Sequence, residues 1–565
     1  MEVEGKARTS PATAGLVALA LLPAIVGIFA GIVGPEDLDQ SAQDKQLLYV
    51  LDIRESGNVV LPLEQGCKSP TKPPLYPWAM TLLGMCMGGP TAAAGKVTAG
   101  LMGIATAWLL FLMAAERWGG WAGVGAAWMF TVSHITMGLL THIRPDMALA
   151  LCVTAAFFAL HREEIEPGRG SSGLFWAGVS LSVLAKWPVG AIVVLGTCAV
   201  LFVSREWRKR VWRIAATRWV LLLLLPAGWF ALACVMGGTE YLKNAVLPET
   251  VERALAVGSR AQKKAWWPGY LALGFLIQFA PWSVFTVGAV VELVWRRINA
   301  QARRLAVLPC AWFLTGLVFH NLFRGQRADY LLPFLPAAAM CAAWVMREGA
   351  KGVRGVLLVM VGLGAVGAAF LGIAALAGLE RALPGVGRLF GATRWGWGGA
   401  LVFVGAALAC VAVADRRTAG ELLRSRAFRA LTAGFLVIHV FYGLALSPVA
   451  RTGGTARTRA FADEVNALRS EGDEIVFYGA LSKAIRFLVR VNEPALALHE
   501  IPWRLEACRD GARFFVITTG AGEREIAESR AGRFREVLRR RMDVGEEDVY
   551  VLLEFVGGRG MEDAT

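Results

Sequence analysis

The sequence predicts an all-α polytopic membrane protein that carries a small C-terminal α/β soluble domain. Three observations lead there. The first is composition: 565 residues, 56% hydrophobic and only 18% charged, with a mean hydropathy of +0.50. Soluble domains carry about 25% charged residues. The second is the recurrence of apolar runs near the length of a membrane span, such as Leu221–Met236 and Val356–Leu379. The third is an abrupt change after Ser447, beyond which the chain is charged and alternates strand-like and helix-like segments. Disordered, fibrous and disulfide-scaffold classes are excluded.

Pro11–Val33 is too long for the apolar core of a signal peptide and lacks a small-residue cleavage site before Asp37. It reads as a retained first span. Apolar runs predict about thirteen spans: 12–33, 95–115, 120–140, 146–161, 172–186, 188–204, 219–236, 268–294, 305–322, 329–346, 356–378, 397–414 and 430–446. The stretch 172–204 is one broken span or two short ones. Leu75–Met87 is short for a span and suits a helix lying at the interface. The nine cysteines lack metal-ligand spacing, and most sit within apolar runs as small buried residues.

The net charge of +14 is read here as topology rather than as a nucleic-acid footprint. Arg205–Arg218 holds six basic residues against one Glu, and further clusters occur at Arg296–Arg304 and Arg416–Arg429. With the spans above, all three fall on one side, the cytoplasm by the positive-inside rule. The N-terminus is then cytoplasmic, in a bacterial inner (plasma) membrane, and the C-terminal domain is periplasmic or extracellular. Loops 34–94, 141–145, 237–267 and 323–328 lie outside. The expected division is 1–449, transmembrane with long outer loops 34–94 and 237–267, and 450–565, an extracytoplasmic α/β domain. Within the latter, 473–478 and 514–519 read as buried strands, and 456–470 and 523–535 as amphipathic helices.

Ionisable residues beside an apolar core are expensive and therefore informative. The first outer loop opens with Glu36, Asp37, Asp39 and Asp44. These acids either cap a helix or supply a general base or metal ligand. Lys72 precedes Pro73 and Pro74, which force an extended backbone. It is a point charge suited to phosphate or a snorkelling lysine. Asp146 follows Arg144 and Pro145 at a helix start, a favourable place for an acid. Lys186-Trp-Pro marks a break between two apolar runs, where polar groups line a cavity. Asn244, Glu249, Arg253, Lys263 and Lys264 fall in the second long loop, and Arg324, Arg327, Asp329 and Tyr330 in a later one. No H-E-x-x-H, G-x-S-x-G or Walker sequence occurs.

Taken in order, these segments resemble the GT-C class of membrane glycosyltransferases, in particular the bacterial aminoarabinose transferase and protein mannosyltransferase-like group. The resemblance rests on Gly57-Asn-Val-Val-Leu-Pro with Lys72-Pro-Pro-Leu-Tyr-Pro-Trp, on Arg144-Pro-Asp, on Leu184-Ala-Lys-Trp-Pro and on Tyr330-Leu-Leu-Pro-Phe-Leu-Pro. Pro281-Trp282 is a weaker fifth block, and coverage runs over about residues 12–350. The chain departs from the pattern at the loop start, where Asp39-Gln and Asp44-Lys stand in place of Asp-Glu, and at Trp187, which replaces a glycine. The C-terminal domain shows no counterpart at this level.

The resemblance implies inverting transfer of a sugar from a polyprenyl-phosphate donor to a lipid, glycan or protein acceptor on the outer face. It implies Asp39 or Asp44 as the base, and Asp146 as a second carboxylate that orients the acceptor. Lys72, Arg253, Arg327 and Tyr330 would hold the donor phosphate, and Arg144 and Lys186 would support the cavity. No cofactor is required, although a divalent metal ion on Asp44 and Asp146 is a possible addition. Membrane lipids are implied partners and nucleic acid is not. The rival readings are a transporter or flippase of a lipid-linked sugar, and a non-catalytic scaffold.

Overall fold

The computed structural model describes residues 11–33, 38, 43–168, 171–249, 269–280, 282–295, 300–322, 326–348, 454–479, 481–508, 512–529, 532–542 and 549–557. The expected spans 356–378, 397–414 and 430–446 lie outside these residues. The described part before residue 349 is helical. Among the described residues four helical stretches are long and apolar enough to cross a membrane: Ala14–Ile32, Ala92–Trp118, Arg218–Tyr241 and Ala328–Arg347. Phe29, Leu221, Leu224, Val235 and Val318 are more than half exposed. Such an outer surface suits acyl chains rather than water, and the chain is a multi-pass membrane protein.

The first helices are α1 (Pro11–Val33), α2 (Gln43–Ser56), α3 (Leu75–Cys86) and α4 (Ala92–Trp118). α4 is central and packs against α1, α5 (Gly120–Thr131) and α7 (Asp146–Ile165). Small residues on α4 permit this closeness: a Cβ on Gly103 would lie 2.3 Å from Leu140. The expected span 120–140 is two helices, α5 and α6 (His134–Leu139). The break is held by side chains that compete for backbone groups. Thr131 Oγ1 donates to the Ala127 carbonyl and Ser133 Oγ to that of Phe130.

α8 (Ser172–Lys186) and α9 (Val189–Phe202) resolve 172–204 as two short helices. α10 (Arg205–Ala215) follows, then a 3-10 segment, Arg218–Leu223, that runs into α11 (Leu224–Tyr241). The expected span 268–294 is likewise two helices, α12 (Tyr270–Gln278) and α13 (Ser283–Trp295). α14 (Ala300–Asn321) precedes a 3-10 segment, Ala328–Phe334, that leads into α15 (Leu335–Glu348).

α7 shows why the charges gather at two levels. Asp146 is its first residue, and His161, Arg162, Glu163 and Glu164 lie in its last two turns. At about 1.5 Å per residue the two groups are about 22–27 Å apart, close to the thickness of the bilayer's apolar core. The lower group forms a buried network. Arg117, with a fully buried side chain, pairs with Glu164, donates to His161 Nδ1 at 2.9 Å and reaches the Leu305 carbonyl at 2.8 Å. That joins α4, α7 and α14 at one level.

The C-terminal part is a five-stranded sheet, β1 (Glu474–Tyr478), β2 (Ala495–Leu496), β3 (Phe514–Thr519), β4 (Arg533–Arg541) and β5 (Val549–Gly557), in the order β2-β1-β3-β5-β4. β1 pairs in parallel with β2 and β3; β5 runs antiparallel to β3 and β4. Alternation sends Ile475, Phe477, Phe515 and Ile517 to one face, against Phe461 and Val465 of α16 (Gly454–Leu468) and Ile485 of α17 (Lys483–Val489). Val476, Val516 and Val551 face the other way, against Ile501 of α18 (Glu500–Glu506) and Ile526 of α19 (Gly520–Glu528). The helix expected over 523–535 therefore ends at Glu528, and its second half begins the edge strand β4.

Candidate active site

The site grows from three chain breaks at one end of the helical bundle. The first is Arg144-Pro-Asp, where Pro145 precedes α7 and Asp146 occupies its first turn. The second is the end of α8, where Lys186 is the last helical residue and Trp187 takes φ +58°, ψ −165° before Pro188. The third is the 3-10 segment that starts at Ala328. An acid at a helix start and a lysine at a helix end both complement the helix dipole. Packing of α7 against α8 and against the 328–334 segment brings the three together.

Lys186 Nζ donates to Asp146 Oδ1 at 2.5 Å, and Arg144 Nε lies 3.1 Å from Asp146 Oδ2. Arg144 Nη2 donates to Asp329 Oδ2 at 2.5 Å, Arg327 Nε donates to Asp329 Oδ1 at 3.0 Å, and Lys186 Nζ is 4.0 Å from Asp329. Lys186 also sits 4.9 Å from the centre of the Tyr330 ring. Three cations against two carboxylates leave one net positive charge. The Asp146 side chain is 3% exposed and that of Arg327 is 47% exposed. Arg327 therefore marks the open side of the cluster.

Lys72 approaches through its neighbours. Trp187 Nε1 donates to the Thr71 carbonyl at 2.9 Å, and the Thr71 N–H reaches Tyr49 Oη at 3.4 Å. The residue beside Lys186 thus holds the residue beside Lys72, while α2 steadies it from the other side. The Trp187 ring packs 6.1 Å from those of Trp229 and Phe230, and Trp229 Nε1 donates to the Val60 carbonyl at 3.0 Å. Trp187→Gly is expected to relieve about 1–3 kcal/mol of strain from a backbone conformation that glycine alone adopts readily but to lose about 3–5 kcal/mol of buried aromatic packing. The expected net result is a lower melting temperature, which thermal unfolding checks.

Asp44 lies in the first turn of α2 and is buried. Its neighbour Gln43 accepts the Ile143 N–H at 2.9 Å through Oε1, so α2 begins against the loop that carries Arg144. Asp39 and Arg253 lie outside the described residues, as do Glu36, Asp37, Lys263, Lys264, Arg324 and Pro281. The structure thus unites Arg144, Asp146, Lys186, Arg327 and Tyr330, and reaches Lys72 and Asp44 through single hydrogen bonds of their neighbours. It adds Asp329, which the sequence reading names in the same loop but gives no role; the signal was an acid two residues from Arg327 at the start of an apolar run. Both Asp146 oxygens face cations, and among the described residues no group of three His, Cys, Asp or Glu could hold an ion.

The C-terminal domain docks on the same loop, between α2 and α3. Glu64 lies 2.7 Å from Lys483 Nζ of α17 and 3.4 Å from Lys45 Nζ of α2. Asn492 Nδ2 donates to the Leu63 carbonyl at 3.0 Å, and the Leu63 N–H donates to Asp52 Oδ2 at 2.8 Å. Gly66, at φ +65°, lets the loop approach: a Cβ there would stand 2.9 Å from the Asn492 carbonyl oxygen. Burial alone would raise the Glu64 carboxyl, but the hydrogen bond and charge of Lys483, with those of Lys45, outweigh it and hold it below its ordinary 4.5. A depressed carboxylate contributes stability above its unfolded value and loses it as pH falls through the lowered folded value. Glu64→Gln is therefore expected to melt below the native chain at pH 7, with the gap closing as pH falls below 4.5. Melting curves across that window check it.

Comparison with known proteins defines the class. A family model described as dolichyl-phosphate-mannose-protein mannosyltransferase matches residues 71–230. That segment includes Lys72, Arg144, Asp146 and Lys186. No curated protein sequence matches the chain. Among solved structures, ArnT from Cupriavidus metallidurans bound to undecaprenyl phosphate superposes with a TM-score of 0.68 at 16% identity, covering 97% of this chain and 100% of ArnT. The apo form of the same protein gives a TM-score of 0.67 at 16% identity, over 98% of this chain and 100% of that one. Archaeal oligosaccharyltransferase AglB from Archaeoglobus fulgidus, in complex with an inhibitory peptide and a dolichol-phosphate, gives 0.48 at 11% identity, over 92% of this chain and 70% of AglB. The matched family model is one of mannosyltransferases, and the ArnT superposition gives the chain the GT-C fold. The ArnT match takes in the C-terminal domain, for which the sequence alone showed no counterpart.

Proposed function

We propose that this chain is an integral membrane glycosyltransferase that moves a sugar, with inversion, from a polyprenyl-phosphate donor to an acceptor on the outer face of the membrane. The observation that carries the reading is the net-positive cluster of Arg144, Lys186 and Arg327 around Asp146 and Asp329, at the end of the bundle where the Lys72 loop is anchored. A lipid phosphate is the anion such a cluster suits, and in ArnT the bound molecule is undecaprenyl phosphate.

In this reading an acceptor hydroxyl attacks the anomeric carbon while the bond from that carbon to the phosphate oxygen breaks. Asp44, or Asp39, takes the hydroxyl proton. Lys72 stabilises the charge that builds on the departing polyprenyl phosphate, and Arg327, Tyr330 and Arg253 line the donor-phosphate site. Asp146 orients the acceptor, and Arg144 and Lys186 fix Asp146. Residues 1–449, with about thirteen spans, form the catalytic part, and 450–565 form an extracytoplasmic domain. The N-terminus is cytoplasmic, in a bacterial inner membrane, and the acceptor is a lipid, glycan or protein. The test is Asp44→Asn and Asp39→Asn, each purified in nanodiscs. A fall of about a hundredfold or more in turnover is expected for the one that acts as base. Normal turnover in both removes a loop carboxylate from the reaction.

A further inference from the structure

The basic surface of α10 lies about a membrane thickness from the site just described. The helix reads Arg-Glu-Trp-Arg-Lys-Arg-Val-Trp-Arg-Ile-Ala and is strongly amphipathic. Trp207, Arg210, Val211 and Ile214 are buried against the bundle, whereas Arg205, Arg208, Lys209, Trp212 and Arg213 face outward. Of the outward cations, Arg213 pairs with Glu163 at 2.7 Å. Arg208 donates to the Phe202 carbonyl at 3.2 Å and lies over the Phe202 ring. Arg205, Lys209 and the following Arg218 show no carboxylate partner among the described residues.

From Arg218 onward the surface changes character in order along the chain. The Arg218 guanidinium stacks 5.6 Å from the Trp219 ring, and Trp212 and Trp219 are 64% and 43% exposed. Arg218, Trp219, Leu221 and Leu222 line an open depression of about 270 Å³. Leu221 of that depression and Leu224, one turn further on, are exposed on the apolar flank of the bundle. Cations, then tryptophans, then aliphatic side chains is the order of a phospholipid's phosphate, glycerol region and acyl chains.

We propose that α10 and the start of the Arg218–Tyr241 span form a binding surface for anionic phospholipids, with phosphates facing Arg208 and Lys209 on the helix and Arg218 beyond its end, and with the chains of a lipid at Arg218 lying along Leu221 and Leu224. Uncompensated positive charge favours an anionic headgroup over a zwitterionic one, whose ammonium it repels. The exposed aliphatic flank favours a lipid over free phosphate, which would gain nothing from it. The site is separate from the proposed donor site and does not depend on the sugar chemistry.

The test uses the full chain in nanodiscs of phosphatidylcholine doped with phosphatidylglycerol, with bound lipid counted by native mass spectrometry after release. The native chain is expected to retain phosphatidylglycerol over phosphatidylcholine, with about tenfold loss of that preference in the variant R208Q/K209Q/R218Q. The charge-conserving variant R208K/K209R/R218K keeps the preference and controls for folding, and single Lys209→Gln and Arg218→Gln chains give intermediate losses. Equal preference in the native chain and the triple variant overturns the proposal. So does displacement of the lipid by millimolar inorganic phosphate, which would assign the cations to a free anion.

Discussion

Lys186→Met is expected to reduce sugar transfer by about a thousandfold and to destabilise the fold by about 3–5 kcal/mol. Lys186 donates to Asp146, lies within 4.0 Å of Asp329 and covers the Tyr330 ring. Without it the cluster holds two cations against two carboxylates and loses its net positive charge. Asp146, 3% exposed, keeps only Arg144. A buried carboxylate stripped of a partner is costly because nothing replaces the lost solvation. Lys186→Arg should recover much of the stability and less of the activity, because a planar guanidinium does not place its charge where an ammonium did. Thermal unfolding and turnover of the two variants separate these effects. Native turnover in Lys186→Met would detach the cluster from the chemistry.

Arg117→Ala is the largest expected effect at the other end of the bundle. It removes the fully buried side chain that pairs with Glu164, contacts His161 and holds the Leu305 carbonyl. Glu164 is then left with Arg304 at 3.9 Å, a long and half-exposed partner. A loss of about 3–5 kcal/mol is expected. It should appear in thermal unfolding with little change in donor affinity, since α7 separates this network from Asp146 by about 22–27 Å. A double change, Arg117→Met with Glu164→Gln, should cost less than Arg117→Ala, because no uncompensated charge stays buried.

Much of the site was legible because its residues are expensive where they stand. Arg144, Asp146 and Lys186 interrupt apolar runs, and Lys72 precedes two prolines, so each stands out in one dimension. The pairing did not show. Asp146 and Lys186 are 40 residues apart, and Arg144 and Asp329 are 185 apart. A single sequence carries no trace of which helices pack. Asp329 received no role for that reason: beside Arg327 it reads as a solvated loop acid until Arg144 and Lys186 are seen to converge on it.

The fold was legible in proportion to its periodicity. Long apolar runs gave α1, α4 and α7 within a few residues. The breaks at 132–133 and between α12 and α13 were missed because run length counts apolar residues and ignores side chains that turn back on the backbone. In the C-terminal domain the fully buried β3 announced itself, whereas the start of β4, Arg533–Arg535, falls within the helix expected over 523–535. Its arginines, Glu536 and Leu538 are good helix formers, and an exposed edge strand has no apolar alternation to oppose that preference. Pairing with β5, a tertiary fact, decides it. Lys483 and Asn492 gave no signal at all, since their partners lie more than 400 residues earlier.

The most direct measurement incubates the purified full chain in nanodiscs with a panel of polyprenyl-phosphate sugars and a membrane acceptor extract. It follows release of free polyprenyl phosphate, with Lys72→Ala beside the native chain. Release from one donor by the native chain, reduced by about a hundredfold or more in a folded Lys72→Ala chain, is the expected result. Undiminished release by Lys72→Ala would contradict the phosphate role of Lys72. No release from any donor, with acceptor present, would contradict the glycosyltransferase itself and leave transport of a lipid-linked sugar as the better account of the same cationic site.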